Sequence, residues 1–433
     1  MASRQAHAST VTAADPAAVW AIARDFCGAW HPAIETIRTD RGLNGALVRV
    51  FTVKGDDGLY REQLTYFSDS DRTLTYTHIE GIEGVDDYTA RLTASADPTG
   101  GAKVDWTAQI VAQDATRADA IAVGTESIFR DGLAALAELA SASHLKLAAP
   151  APASNQPRSL SEIKISTAPA FAVTTVGEGN GPLVIFLHGI GGWRSNWRAQ
   201  LAALPAGWRG AALDLRGYGD SELGASQTNI DDYCADILRV AEALRADAFV
   251  LCGLSYGSWI ATSFAMRHPD KLLGLALSGG CTGMSEAQAA EREAFRASRE
   301  APLAAGQTPA DFAPALIDVL AGPDGSAEVR AELLASMSAI PVATYRDALV
   351  CFTNPPERFD FSRLTMPVLM MTGEHDRLAS PAEIRGVANR IATLARRPSV
   401  RFEVIPGAGH VCNVAQPQAY NSVLNEWLEG LTA

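Results

Sequence analysis

Gly253-Leu-Ser255-Tyr-Gly257 lies between an apolar run, Ala248–Cys252, and a helix-forming stretch, Ser258–Arg267. A strand that turns at once into a helix has no room for side chains beside the turn, which is where the glycines fall. The same turn lifts the Ser255 hydroxyl above the sheet. A lone G-x-S-x-G is common, but the strand–turn–helix setting makes Ser255 a candidate nucleophile.

Working outward, His188-Gly-Ile-Gly-Gly192 follows another apolar run, Leu183–Leu187. A turn of this kind can aim the N–H of Ile190 at a reacting carbonyl oxygen, and the N–H of Tyr256 is the natural second donor of an oxyanion hole. His188 is then a turn-fixing histidine. Near the chain end, Gly407-Ala-Gly-His410 sits between Val400–Ile405 and a final helix, Gln418–Leu428, and offers His410 as general base. An acid is expected between serine and histidine in chain order. Gly373-Glu-His-Asp376, after the apolar run Pro367–Thr372, supplies Asp376, with Glu374 the weaker choice and His375 on the loop surface. These runs, with Gly210–Leu213 and Leu273–Ser278, alternate with helical segments. That alternation predicts a doubly wound, mostly parallel sheet with functional groups at the carboxyl ends of its strands.

Together these parts resemble the α/β-hydrolases over residues 164–431. Asp214-Leu-Arg-Gly-Tyr-Gly-Asp-Ser221 matches that family's D-x-R-G-x-G-x-S loop, read as structural, with Arg216 ion-paired. Met266-Arg-His-Pro269 and Gly409-His-Val-Cys-Asn-Val-Ala-Gln-Pro417 are most similar to 3-oxoadipate enol-lactonases and their esterase relatives. Ser258 departs from the glycine often found there. The resemblance implies a helical lid, placed at about 282–352, whose apolar residues Met284, Phe295, Phe312, Leu316, Met337, Tyr345 and Phe352 include the substrate wall. Gly189, Trp193, Met284 and Val411 are the expected substrate contacts. Cys252 and Cys412 read as small core residues. No metal-ligand set is visible, and a serine triad needs neither metal nor cofactor.

Residues 146–162 are expected to be a linker, because Ala148-Ala-Pro-Ala-Pro-Ala-Ser-Asn-Gln-Pro157 places three prolines among small residues. Before it, residues 1–145 carry strand-like runs at Val48–Val53, Tyr60–Tyr66, Thr73–His78, Tyr88–Ser95 and Lys103–Val111. A helix at about Arg117–Ala140 closes the segment, its inner face drawn from Ile121, Ile128, Leu136 and Leu139. With Trp30-His31-Pro32 and Arg61-Glu62-Gln-Leu64, residues 6–142 resemble the polyketide cyclase/dehydratase branch of the START-like superfamily. That implies an α+β helix-grip fold and an apolar ligand pocket. Three roles are open for this domain: binding the hydrolase's substrate or product, catalysing an adjoining step with His31, Arg61, Glu62 and Asp105 in its pocket, or a structural or dimerising part. The hydrolase domain is expected over 163–433.

The chain is 47% hydrophobic and 20% charged, with a net charge of −13. That acidity argues against nucleic acid or an anionic membrane as partner. No signal-like start or spanning apolar run is present, and six scattered cysteines show no CxxC pair, so cytoplasm is the expected location. The expected partner is a small-molecule substrate, and a homodimer is compatible with the sequence. The leading functional reading is cleavage of an ester or lactone of a small hydrophobic or aromatic-derived compound through an acyl-enzyme. Hydrolysis of a carbon–carbon bond in a β-diketone or meta-cleavage product, and cofactor-free perhydrolysis, use the same residues. A reading of another class is a small-molecule sensor with a vestigial hydrolase, against which the full Ser/Asp/His set speaks.

Overall fold

A computed structural model describes residues 1–42, 46–142, 158–395 and 399–432, which divide into an N-terminal and a C-terminal unit. The N-terminal unit contains strands β1 (Ala2–Thr12), β2 (Ile34–Arg41), β3 (Leu47–Val53), β4 (Leu59–Ser68), β5 (Thr73–Glu80), β6 (Val85–Ala96) and β7 (Ala102–Ala112). They pair antiparallel in the order β1-β7-β6-β5-β4-β3-β2. Alternation along β7 is nearly complete: Ala102, Val104, Trp106, Ala108 and Ile110 are buried on one face. The helix Ala115–Ala142 packs against β1 and β7.

Two of these strands, β1 and β2, go beyond the sequence pattern. In β1 the buried positions are Ala6, Ala8 and Thr12, too weakly apolar to mark alternation, and pairing with β7 (Ala6 opposite Ala108) supplies what the local pattern lacks. The helix also needs a corrected face. Ile128 and Leu139 are exposed, and the buried stripe runs through Ile121, Thr125, Phe129, Gly132, Leu133 and Leu136. At 100° per residue Thr125, Leu136, Phe129 and Leu133 fall about 40°, 60°, 80° and 120° round from Ile121, so the stripe lies to that side, and Ile128, about 20° the other way, is off its edge. Phe129 stacks on Trp106 with centroids 4.4 Å apart.

The C-terminal unit holds β8 (Leu160–Ile165), β9 (Phe171–Val176), β10 (Leu183–Leu187), β11 (Arg209–Leu213), β12 (Phe249–Leu254), β13 (Leu272–Ser278), β14 (Val368–Gly373) and, from Glu403 on, the end of β15 (Val400–Ile405). Their order is β15-β14-β13-β12-β10-β11-β9-β8. The pairs β11/β10, β10/β12, β12/β13 and β13/β14 are parallel, and β9 joins β11 antiparallel. Every residue of β10, β12 and β14 is buried, as expected of central strands covered on both faces. The hairpin β8–β9 carries no sequence signal strong enough to announce it, and it takes residues 160–162 from the expected linker into a strand. Residues 146–157 of that linker lie outside the described residues. Between β13 and β14 the lid segment forms helices Ala289–Ala304, Pro309–Phe312, Ile317–Ala321, Ala327–Ser338 and Val342–Thr353.

Candidate active site

Loops at the ends of β10, β12, β14 and β15 bring together residues far apart in sequence. Ser255 caps the helix Tyr256–Arg267 with φ 53° and ψ −115°, a positive-φ conformation that costs a non-glycine residue on the order of 1–3 kcal/mol. The surroundings hold it there. A Cβ at Gly253 would lie 2.4 Å from the Gly257 carbonyl oxygen, and one at Gly257 would lie 2.3 Å from that of Leu187. The Ser255 N–H donates to Ser278 O at 2.7 Å. Ser258, where a glycine is usual, adds a further tie. Its hydroxyl is 2.7 Å from Gly253 O and 2.8 Å from Ser278 O, and it accepts from Ser278 N–H at 2.9 Å.

Asp376 Oδ2 is 2.9 Å from His410 Nδ1, and both side chains are buried. The other carboxylate oxygen accepts from the N–H groups of Leu378 at 2.8 Å and Ala379 at 2.9 Å. Burial by itself would raise this carboxyl. The hydrogen bond and charge of His410, together with the two amides, outweigh it and hold the group below its ordinary value. Among the described residues Glu374 makes no hydrogen bond to the imidazole. Its carboxylate accepts from Gly407 N–H at 3.0 Å, and the residue is exposed, as is His375. The His410 loop is anchored by the lid. Gly409, His410 and Val411 donate to Ala321, Val319 and Leu320 carbonyls at 3.0, 3.1 and 2.9 Å.

Ser255 and His410 line one cavity of about 330 Å³. Among the described residues no hydrogen bond joins Ser255 Oγ to the imidazole, a contact that commonly tightens only when substrate is bound. Ile190 and Tyr256 line the same cavity, and among the described residues neither backbone N–H has an acceptor. The Tyr256 amide also sits at the first turn of a helix, where the peptide dipoles favour negative charge. A Cβ on Gly189 would lie 3.3 Å from Ser255 Cβ, so the loop carrying Ile190 packs directly on Ser255. Tyr218, from the loop read as structural, donates its hydroxyl to Ile190 O at 3.1 Å, while Arg216 makes a two-toothed pair with Asp236 at 2.7 and 2.8 Å. His188 is fully buried. It accepts from Leu215 N–H at Nε2 (3.1 Å), so its Nδ1–H donates to Gly189 O (2.8 Å) and the ring is neutral, in keeping with a value lowered by burial.

Of the expected substrate contacts, Gly189, Met284 and Val411 line the cavity. Trp193 does not. It opens the short turn Arg194–Trp197 with its N–H bonded to Asn196 Oδ1 at 3.1 Å, and it is Asn196 that reaches the wall. From the lid, Phe295, Leu316, Met337, Tyr345 and Phe352 face the cavity, whereas Phe312 packs against Tyr345, ring centroids 5.6 Å apart. Arg299, unmarked by any motif, is also on the wall. Cys252 and Cys412 are buried, and burial pushes the Cys252 thiol up to about 12. Among the described residues no group of three His, Cys, Asp or Glu could hold a metal, and no helix is long and apolar enough to cross a membrane.

In the N-terminal unit the expected polar groups separate. His31 and Glu62 are buried, Glu62 paired with Arg49 at 2.6 Å. Arg61 instead pairs with Asp40 at 3.2 Å, and Asp105 with Lys103 at 2.9 Å, both partly exposed. Arg49 stands out only in the folded chain, because its partner is on a neighbouring strand.

Residues 3–141 match the family of polyketide cyclase / dehydrase and lipid transport proteins. The chain is 29% identical over 266 residues to 2-succinyl-6-hydroxy-2,4-cyclohexadiene-1-carboxylate synthase of Serratia proteamaculans, covering 60% of this chain and 98% of that protein. It is 24% identical over 254 residues to 3-oxoadipate enol-lactonase 2 of Acinetobacter baylyi, covering 58% and 90%. A thermophilic esterase from Thermogutta terrifontis superposes with a TM-score of 0.55 at 25% identity, over 63% of this chain and all of that one. The alpha/beta hydrolase fold model matches residues 182–414, more than half of the sequence, and the chain belongs to the α/β-hydrolase family.

Proposed function

We propose that the protein is a serine hydrolase that cleaves an ester or lactone of a small, largely apolar compound through an acyl-enzyme. The observation that carries this reading is the convergence on one cavity of a strained Ser255, two amides without an acceptor among the described residues, and an Asp376-held imidazole. In this reading His410 takes the Ser255 proton as the oxygen attacks a carbonyl carbon. Asp376 accepts from Nδ1–H, fixing the tautomer that presents Nε2 to the serine, and stabilises the imidazolium. The tetrahedral oxyanion lies against the Ile190 and Tyr256 amides. Collapse expels the alcohol, protonated by His410, and water then hydrolyses the acyl-enzyme with the imidazole again as base. The likeness to an enol-lactonase and to an esterase supports an ester or lactone over a carbon–carbon bond.

The test is turnover of purified protein on a panel of aryl esters, aliphatic lactones and β-diketones. Turnover of esters or lactones with diketones inert supports the reading, and the reverse pattern assigns carbon–carbon cleavage. For the N-terminal domain we propose hydrophobic-ligand binding, supported by its match to a family that includes lipid transport.

A further inference from the structure

The cavity wall is mostly apolar, with Asn196, Thr282, Tyr256 and Tyr345 as neutral polar side chains, and beyond the triad its charged side chains are Arg299 and Glu383. Glu383 belongs to the Asp376 side: burial and the charges of Asp376 and Glu286 raise it above the ordinary carboxylate value. Arg299 lies elsewhere, on the lid helix Ala289–Ala304, one turn after Phe295. Its guanidinium carbon sits 3.6 Å above the centre of the Phe295 ring. A guanidinium stacked on an aromatic face keeps its in-plane N–H groups for a ligand.

What distinguishes Arg299 is that among the described residues no acid pairs with it. Its one hydrogen bond among the described residues is from Nη1 to Ser298 Oγ, 2.7 Å. Neighbouring carboxylates are engaged elsewhere: Glu300 with Arg346 at 2.9 Å, and Glu293 with Arg296. Of its five N–H donors most are therefore without a protein acceptor, in a half-buried position on a cavity wall. Burial lowers its value from the ordinary arginine range, with only the Tyr345 hydroxyl acting against it. A charge set against an apolar wall with no counter-ion costs stability unless something else satisfies it.

We propose that Arg299 is the binding site for a carboxylate carried by the substrate, on the acyl or ring portion remote from the carbonyl that Ser255 attacks. This deepens, and rests on, the ester or lactone reading above. It makes the preferred substrate a half-ester or carboxylated lactone, whose apolar middle meets Met337, Leu349 and Phe352 while its anion forms a paired hydrogen bond with the guanidinium.

The experiment uses the full chain and 4-nitrophenyl half-esters of linear dicarboxylic acids from adipic to sebacic, each matched with the neutral ester of the same chain length. The readout is the ratio of kcat/KM for the anionic over the neutral ester. In the wild type this ratio should peak at one chain length, since a fixed cation selects one span. Arg299→Gln should lower that peak by about ten- to hundred-fold, the range of a charged hydrogen bond, and Arg299→Lys should restore part of it. Calorimetric binding of the free dicarboxylates provides a readout without turnover, and should weaken in Arg299→Gln. Equal ratios and equal dicarboxylate binding in wild type and Arg299→Gln would overturn the proposal. Arg299-dependent binding without hydrolysis of any ester would sustain the carboxylate site while refuting the ester reading.

Discussion

Asp376 Oδ2 and His410 Nδ1 are 2.9 Å apart across 34 residues of sequence, with both side chains buried and the second carboxylate oxygen held by two amides. This contact determines which imidazole nitrogen can face Ser255. Asp376→Asn should therefore cost on the order of 10⁴ in kcat, as loss of the orienting carboxylate does in analogous triads. Glu374→Gln should stay within a few-fold of wild type, because Glu374 contacts Gly407 and not the imidazole. Steady-state kinetics on one aryl ester checks both. An active Asp376→Asn beside a dead Glu374→Gln would move the acid to Glu374.

The same carboxyl has a pH signature in stability. Its folded value lies below the ordinary one, so it contributes stability above the unfolded value of about 4. That contribution is lost as pH falls through the still lower folded value. The Tm difference between wild type and Asp376→Asn should accordingly be greatest near neutrality and shrink below about pH 4. Thermal scans from pH 7 to pH 3 measure it, and a gap that widens toward acid would contradict the assignment.

Two glycines near Ser255 should behave differently. A methyl at Gly257 meets the Leu187 carbonyl at 2.3 Å, backbone that cannot swing away. Gly257→Ala should lose stability by about 1–3 kcal/mol or more, the usual cost of overpacking. A methyl at Gly189 meets Ser255 Cβ at 3.3 Å and Oγ at 3.8 Å, so Gly189→Ala should melt near wild type while kcat falls. Parallel denaturation and kinetics separate the two, and equal loss of stability in both variants would count against this division.

Tyr218→Phe removes the hydroxyl that donates to Ile190 O at 3.1 Å. If that bond aims the Ile190 amide, kcat should fall several-fold with KM little changed, in line with about 0.5–1.5 kcal/mol for one hydrogen bond. A rise in KM at constant kcat would place Tyr218 in substrate binding instead.

How far these features can be read from sequence depends on the range of the forces behind them. The sharp turn at Ser255 requires glycines within two residues of it, so its constraint is written locally. The apolar runs of β10, β12 and β14 are legible for a similar reason, since strands buried on both faces need no alternation. Strand β1 is hidden because its buried residues are two alanines and a threonine and its partner β7 is about a hundred positions away. The helix face at Ile128 fails through a one-residue ambiguity between Ile128 and Phe129 that only the stack on Trp106 resolves. Arg299 and Arg49 carry no motif at all. Their meaning lies in which carboxylates surround them, and that is a property of the folded chain.

The central claim is that Ser255 is the nucleophile, and trapping tests it most directly. A fluorophosphonate should label the wild-type protein at one equivalent, and peptide mass spectrometry should place the adduct on Ser255. Ser255→Ala should take up no label and retain at most about a thousandth of wild-type turnover, with an unchanged melting temperature. An adduct at another residue, or an alanine variant that still turns over ester at the wild-type rate, would contradict the account.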